Sequence, residues 1–206
     1  NGFLITYYKL QPFIATLAMT YVLKGIVQIY TNGQTIGGVN KARFLGHGSI
    51  LGIPVPVLIM LLSVIVIAVL MKSTKFGTYI YAIGGNEQAA EVSGVNTKKT
   101  KIIIYVTATA LYAIAGFLLG AKSGGAGVNT GNGYELEAIA ACTIGGVSVN
   151  GGIGRISGVI IGVLVFEFLK TCLQFLGIDP NYQYIAQGIV IVVAIALDIR
   201  KYIAKK

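Results

Sequence analysis

Charge is what this chain has least of. Only 11% of its 206 residues are Asp, Glu, Lys or Arg, and the acids number 7. Soluble domains average about 25% charged. With 55% hydrophobic residues and a mean hydropathy of +0.77, the chain reads as a polytopic membrane protein rather than a large soluble core. Histidine is scarcer still: His47 has no second soft ligand beside it for a metal and no partner for a nucleophile–base pair. Cys142 and Cys172 are isolated in apolar segments and make no disulfide framework. A phosphate-binding loop is missing too. The nearest approach, Gly120-Ala121-Lys122-Ser123, lacks the glycine required immediately before the lysine. No enzymatic role is expected of this chain, and no cofactor of its own.

What is present is a net charge of +9, unevenly placed. The basic residues form no stripe interleaved with exposed aromatics, so nucleic acid is not the expected partner. They gather in residues 72–101 and in the tail after Asp198. Lys and Arg are retained on the cytoplasmic side during insertion, which puts that polar stretch inside and fixes the direction of every crossing. Six spans are expected, over 13–30, 55–71, 102–119, 136–149, 154–175 and 182–197. Pro12 opens the first, and Pro54 and Pro56 open the second. Lys24 snorkels near a helix end. Lys41 and Arg43, in a Gly-rich outer loop, run mildly against the charge rule. One apolar turn around Phe44–Leu45 lies on the membrane surface. The chain starts at Asn1 with no Met and no signal peptide, and reads as the later part of a longer protein.

Inside the polar stretch, taken as the loop 72–101, the residues predict a helix of about two turns over 87–93. Asn86 is a good N-cap, Glu87 suits the first turn, Ala89 and Ala90 favour helix, and Gly94 suits a left-handed end. Such a piece barely persists alone, so it is either an ordinary solvated helical turn or an element held by a partner.

A second unusual stretch is YELEAIAACTIGGVSVNGGIG, residues 134–154. Its apolar part, 136–149, is short for a span and is broken by glycine pairs. Irregular backbone at membrane depth needs protein or a water-filled cavity to satisfy it, and short Gly-interrupted segments point to a transport pathway. A close-packed short helix with a Gly-rich turn is the other reading. Gly154, Gly158 and Gly162 then fall on one helix face, where small residues let backbones approach. Glu167 and Lys170, three apart, pair on one face. Tyr105 and Tyr112 form a packing stripe.

Four stretches resemble one family: QPFIATLAMTYVLKGI at 11–26, TKFGTYIYAIGGNEQAAEVSGVNTKKTK at 74–101, the 134–154 segment, and YQYIAQGIVIVVAIALDIRKYIAKK at 182–206. They look like the C-terminal two-thirds of a bacterial monosaccharide ABC importer permease, galactose/methyl-galactoside type first and ribose type close behind. The resemblance implies an all-α bundle in the inner (plasma) membrane, with a short broken pore-side helix and a cytoplasmic coupling helix. It also implies a second permease subunit, an external or periplasmic sugar-binding protein, and a separate cytoplasmic ATPase that carries the ATP and Mg. Gly85, Asn86, Glu87, Ala89, Ala90, Ser93 and Gly94 would contact the ATPase. Glu135, Gly145, Gly146, Ser148, Gly151 and Gly152 would belong to the translocation path. Arg155 departs from the smaller residue expected after the glycine cluster. Two other classes remain, an ion-coupled secondary transporter with Glu167 as its one well-placed acid, and a non-transporting assembly subunit.

Overall fold

The computed structural model describes residues 1–37 and 42–203. Lys41 and the last residues of the basic tail, Lys205 and Lys206, lie outside the described residues. Two compact units are distinguished: Asn1–Ile80 with Ala90–Gly131, and Tyr81–Ala89 with the described residues from Asn132 on.

The first unit starts with α1 (Gly2–Tyr7) and α2 (Pro12–Thr31). Proline at the first position of α2 removes a donor that has no helical partner there. Then come β1 (Ile36–Gly37), α3 (Arg43–His47), β2 (Ser49–Ile50) and β3 (Ile53–Pro54), followed by α4 (Val55–Ser73), α7 (Thr97–Ser123) and β4 (Gly125–Ala126). The strands are two residues each and pair antiparallel, β1 with β4 and β2 with β3. The apolar turn at Phe44–Leu45 belongs to α3, which packs against the end of α7. A Cβ on buried Gly46 would lie 2.7 Å from Lys122 N. The near-miss Gly120–Ser123 sequence is therefore the last turn of a helix.

Within these apolar helices, hydroxyls are satisfied on the spot. Thr20 donates to Thr16 O at 3.0 Å, Ser63 to Ile59 O at 2.8 Å, and Thr109 to Tyr105 O at 2.8 Å. That is the arrangement a helix needs where no water is available.

Residues 72–101, expected to carry one short helix, are helical over most of their length. The α4 helix runs on to Ser73, α5 occupies Lys75–Gly85, α6 occupies Glu87–Val92, and α7 begins at Thr97. Phe76, Ile80 and Ile83, all partly buried, recur at helical spacing and explain α5. Asn96 caps α7 by accepting from Lys99 N at 3.0 Å, so Lys98, Lys99 and Lys101 sit in its opening turns.

The second unit is built on α8 (Tyr134–Ile144), α9 (Ile156–Phe175) and α10 (Pro180–Ile203). Its core is Ala140, Ala141 and Phe166, with Ile144, Val190 and Ile191 packed on it. The helix expected over 136–149 stops at Ile144. At 11 residues, about 16 Å, α8 is too short to cross a membrane by itself. Conversely, α10 continues past 197 to Ile203, so the start of the basic tail is helical backbone.

Among the described residues, four helices are long and apolar enough to span a bilayer: Pro12–Thr31, Val55–Ser73, Thr97–Ser123 and Ile156–Phe175. Their large apolar side chains mostly face outward. Hydrocarbon solvates such surfaces as well as a protein interior does.

Candidate functional site

The polar element α6 is made by its ends. Asn86 Oδ1 accepts from Ala89 N at 3.0 Å, capping the first turn, and Glu87 occupies that turn. At the other end Gly94 N donates to Glu91 O at 3.0 Å and Val95 N to Ala90 O at 3.1 Å. This closure puts Gly94 at φ +85°, a conformation that favours glycine. Between the caps, Ala90 is 4% exposed whereas Val92 is 90% exposed. Gly85, Asn86, Glu87, Ala89, Ser93 and Gly94 are also exposed. Of the seven residues assigned to an ATPase contact, Ala90 is therefore the exception: it is buried.

The broken segment has a defined geometry. Gly146 N donates to Thr143 O and Val147 N to Cys142 O, both at 3.0 Å, which ends α8 with Gly146 at φ +81°. The next turn is tied to itself, Ser148 N to Ile153 O at 3.0 Å and Gly151 N to Ser148 O at 3.1 Å. Ser148 is buried and its Oγ accepts from Asn150 N at 3.3 Å. Arg155 is exposed, in extended backbone at the cap of α9. Glu135 lies at the opposite end of α8, where its carboxylate accepts from Gly133 N at 3.1 Å. It is separated from the glycines by the length of that helix, so the six pathway residues do not form one cluster.

The glycine stripe on α9 meets α8. A Cβ on Gly158 would collide with Gly145 O, and one on Gly162 with Ala141 O, while one on Gly154 would lie 3.2 Å from Val147. Gly145 and Gly158 thus permit the backbone approach that the stripe predicts.

The two glycine pairs singled out in separate motifs also come together. A Cβ on Gly84 would lie 2.5 Å from Gly152 N, one on Gly151 2.8 Å from Gly84 O, and one on Gly152 2.7 Å from Gly85 Cα. Tyr81 OH donates to Gly154 O at 3.1 Å. Neither Tyr81 nor this meeting was legible from spacing.

A third feature is a charged cluster on α8 and α9. Lys170 Nζ donates to Glu137 Oε2 at 2.9 Å, is 3.6 Å from Glu167 Oε1, and lies 5.6 Å from the centre of the Tyr134 ring. The expected Glu167 pairing is present, but Glu137 is the closer partner. The signal available in the sequence was two opposite charges, each stranded in an apolar segment. Lys170→Met should lower stability by about 2 kcal/mol, because a partly buried carboxylate loses a charged hydrogen-bond partner. Thermal unfolding in detergent checks it. Adding Glu137→Gln should return most of the loss, and a double variant as weak as the sum of the singles would count against the pairing.

Among the described residues, no three His, Cys, Asp or Glu side chains are grouped to hold a metal.

The long apolar helices and, among the described residues, the near absence of sheet define a polytopic all-α membrane protein. The profile of a family described as "Branched-chain amino acid transport system / permease component" matches residues 1–195, and the chain belongs to that family. The chain is a multi-pass protein of the inner membrane. It is 45% identical over 204 residues to the ribose import permease protein RbsC of Bacillus subtilis, covering 98% of this chain and 63% of that protein. Identity is 37% to the L-arabinose transport system permease protein AraH of Escherichia coli, with 100% of this chain and 63% of that protein covered. It is 35% to the galactose/methyl galactoside import permease protein MglC of Treponema pallidum, with 100% and 40% covered. The chain thus spans less than two thirds of the length of these relatives. Its identity to the ribose permease exceeds that to the galactose one, which reverses the order in which the motifs placed them. No solved structure matches.

Proposed function

We propose that this chain forms the membrane pathway of an ATP-driven monosaccharide importer and that α6 is the ridge on which a cytoplasmic ATPase docks. One observation carries the reading. A six-residue helix, too short to persist alone, is capped at both ends, buries only Ala90 and is exposed over the rest of its surface, Val92 included. A stable, uncovered helical knob is suited to a groove on another protein. The names of the three relatives support sugar import, and the 45% identity favours ribose over galactose/methyl galactoside.

The cycle has four parts in this reading. An external binding protein delivers the sugar to two permease subunits paired in the membrane. ATP and Mg act in the ATPase, whose closure draws the docked α6 helices together. The bundle then alternates between inward-facing and outward-facing states as rigid bodies. A pathway with few charged groups suits a neutral, hydroxyl-rich solute. Six crossings with α6 on the inner side complete the arrangement, with α8 and the glycine turn as its short broken element.

The test is purification of the full-length permease with mass spectrometry of its partners, followed by reconstitution with the ATPase and binding protein. ATP-dependent ribose uptake, unaffected by a protonophore, is the expected result. Uptake that collapses with the protonophore and ignores ATP points to the ion-coupled class. No flux with any partner points to an assembly subunit.

A further inference from the structure

We propose that the backbone contact of Gly84 and Gly85 with Gly151 and Gly152, secured by Tyr81, is the link that delivers movement of α6 to the α8–α9 pair. The inference rests on α6 being the ATPase-docking element. Its own basis is that main chain meets main chain at the contacts along the route.

At the start of the route, α5 runs into α6 without slack. Asn86 N still donates to Ala82 O at 3.0 Å, while the side chain of the same residue caps α6. At the middle, main chain rests on main chain. An added Cβ on Gly84 would lie 2.5 Å from Gly152 N, and one on Gly152 2.7 Å from Gly85 N. Those separations admit no side chain, so no rotamer change can absorb a displacement. Tyr81 adds a directional tie to Gly154 O at 3.1 Å, one residue before Arg155 and two before α9. The turn receiving the contact is closed by Ser148 N to Ile153 O, so it moves as a block. At the far end, Gly145 against Gly158 and Ala141 against Gly162 are again backbone contacts, which lock α8 to α9.

Close-packed interiors transmit strain and do not deform continuously. Long flexible side chains at any of these contacts would let a shift of about 1 Å die out, since dispersion contacts weaken steeply with a gap of that size. The glycines exclude that loss. Tyr81 is a positioning residue here: it holds the turn to α5 and needs no contact with the transported solute.

The experiment uses the full-length permease with its ATPase and binding protein in proteoliposomes, with sugar uptake and ATP hydrolysis measured in the same sample. The unsubstituted protein must first show ATP-driven uptake; its absence overturns the importer reading and this link with it. Given that uptake, Gly84→Ala should leave ATP hydrolysis within about twofold while sugar carried per ATP falls about tenfold, in the range by which substitutions along a coupling route act. Tyr81→Phe keeps the packing and removes one hydrogen bond, so the ratio should fall about two- to fivefold. Gly116→Ala, in open space on α7, should leave the ratio unchanged. Should Gly84→Ala fail to accumulate, Tyr81→Phe decides alone. An unchanged ratio in Tyr81→Phe, or equal losses of hydrolysis and uptake in the variants, overturns the proposal.

Discussion

Replacing Gly162 by leucine should abolish the packing of α8 on α9 and, with it, recovery of folded protein. Gly162 is buried, and its Cβ would fall on Ala141 O and within 2.7 Å of Gly145 N and 3.0 Å of Gly145 Cα. Those atoms already bond to each other, Gly145 N donating to Ala141 O at 2.9 Å. Backbone in a helix cannot step aside as a flexible side chain can. Overpacking commonly costs about 1–3 kcal/mol, and a whole leucine against main chain should reach about 3 kcal/mol or more. The helix propensity gained on losing a glycine, up to about 1 kcal/mol, is too small to offset it. Gly116→Leu makes the matched comparison, because its Cβ meets nothing within 4 Å. Size-exclusion profiles and thermal unfolding in detergent should show Gly162→Leu aggregated or strongly destabilised and Gly116→Leu close to the unsubstituted protein. Equal behaviour of the two would mean that the α8–α9 approach is not what holds this unit.

Replacing residues 87–93 by a Gly/Ser sequence should reduce ATP-driven uptake to background while leaving insertion and the remaining fold in place. The asymmetry comes from burial. Within α6 only Ala90 is buried, and one alanine methyl contributes about 1 kcal/mol at most. The helix is nonetheless the whole of the proposed docking ridge, and a Gly/Ser segment has neither the caps nor the propensity to rebuild it. Uptake in vesicles and retention of the ATPase on affinity purification are the two measurements. Uptake at the native rate with α6 deleted in this way would remove the docking role from it altogether.

Local features proved readable and distant ones did not. The cap at Asn86 and the terminator at Gly94 were both visible as residue types, and α6 ends at Val92, one residue short of the expected limit. The Gly154, Gly158 and Gly162 stripe announced a close backbone approach, but not that its partners were Gly145 and Ala141. Lys170 was paired with Glu167 because that spacing is helical and local. Its closer partner, Glu137, is 33 residues away on another helix, and only folding sets that distance. The α5 helix was overlooked for a different reason: the lysines around it made 72–101 look uniformly polar, although Phe76, Ile80 and Ile83 carry the helical period. Two-residue strands such as β1 and β4 are too brief to leave an alternation at all.

Among the described residues, the interior is assembled mainly from small side chains. Ala15, Ala42, Ala90, Ala121, Ala140 and Ala141 are buried, with Thr6, Thr97, Thr100 and Thr143, and Phe166 is the one large side chain below 2% exposure. Mutational tolerance should therefore run opposite to that of a water-soluble globule. Trimming Leu62, Leu164 or Phe168, all on outward faces, subtracts little from the fold, whereas adding even a methyl where Gly84 or Gly158 stands meets main chain. In a saturation survey of this chain, volume gained would be the better guide to damage than volume lost.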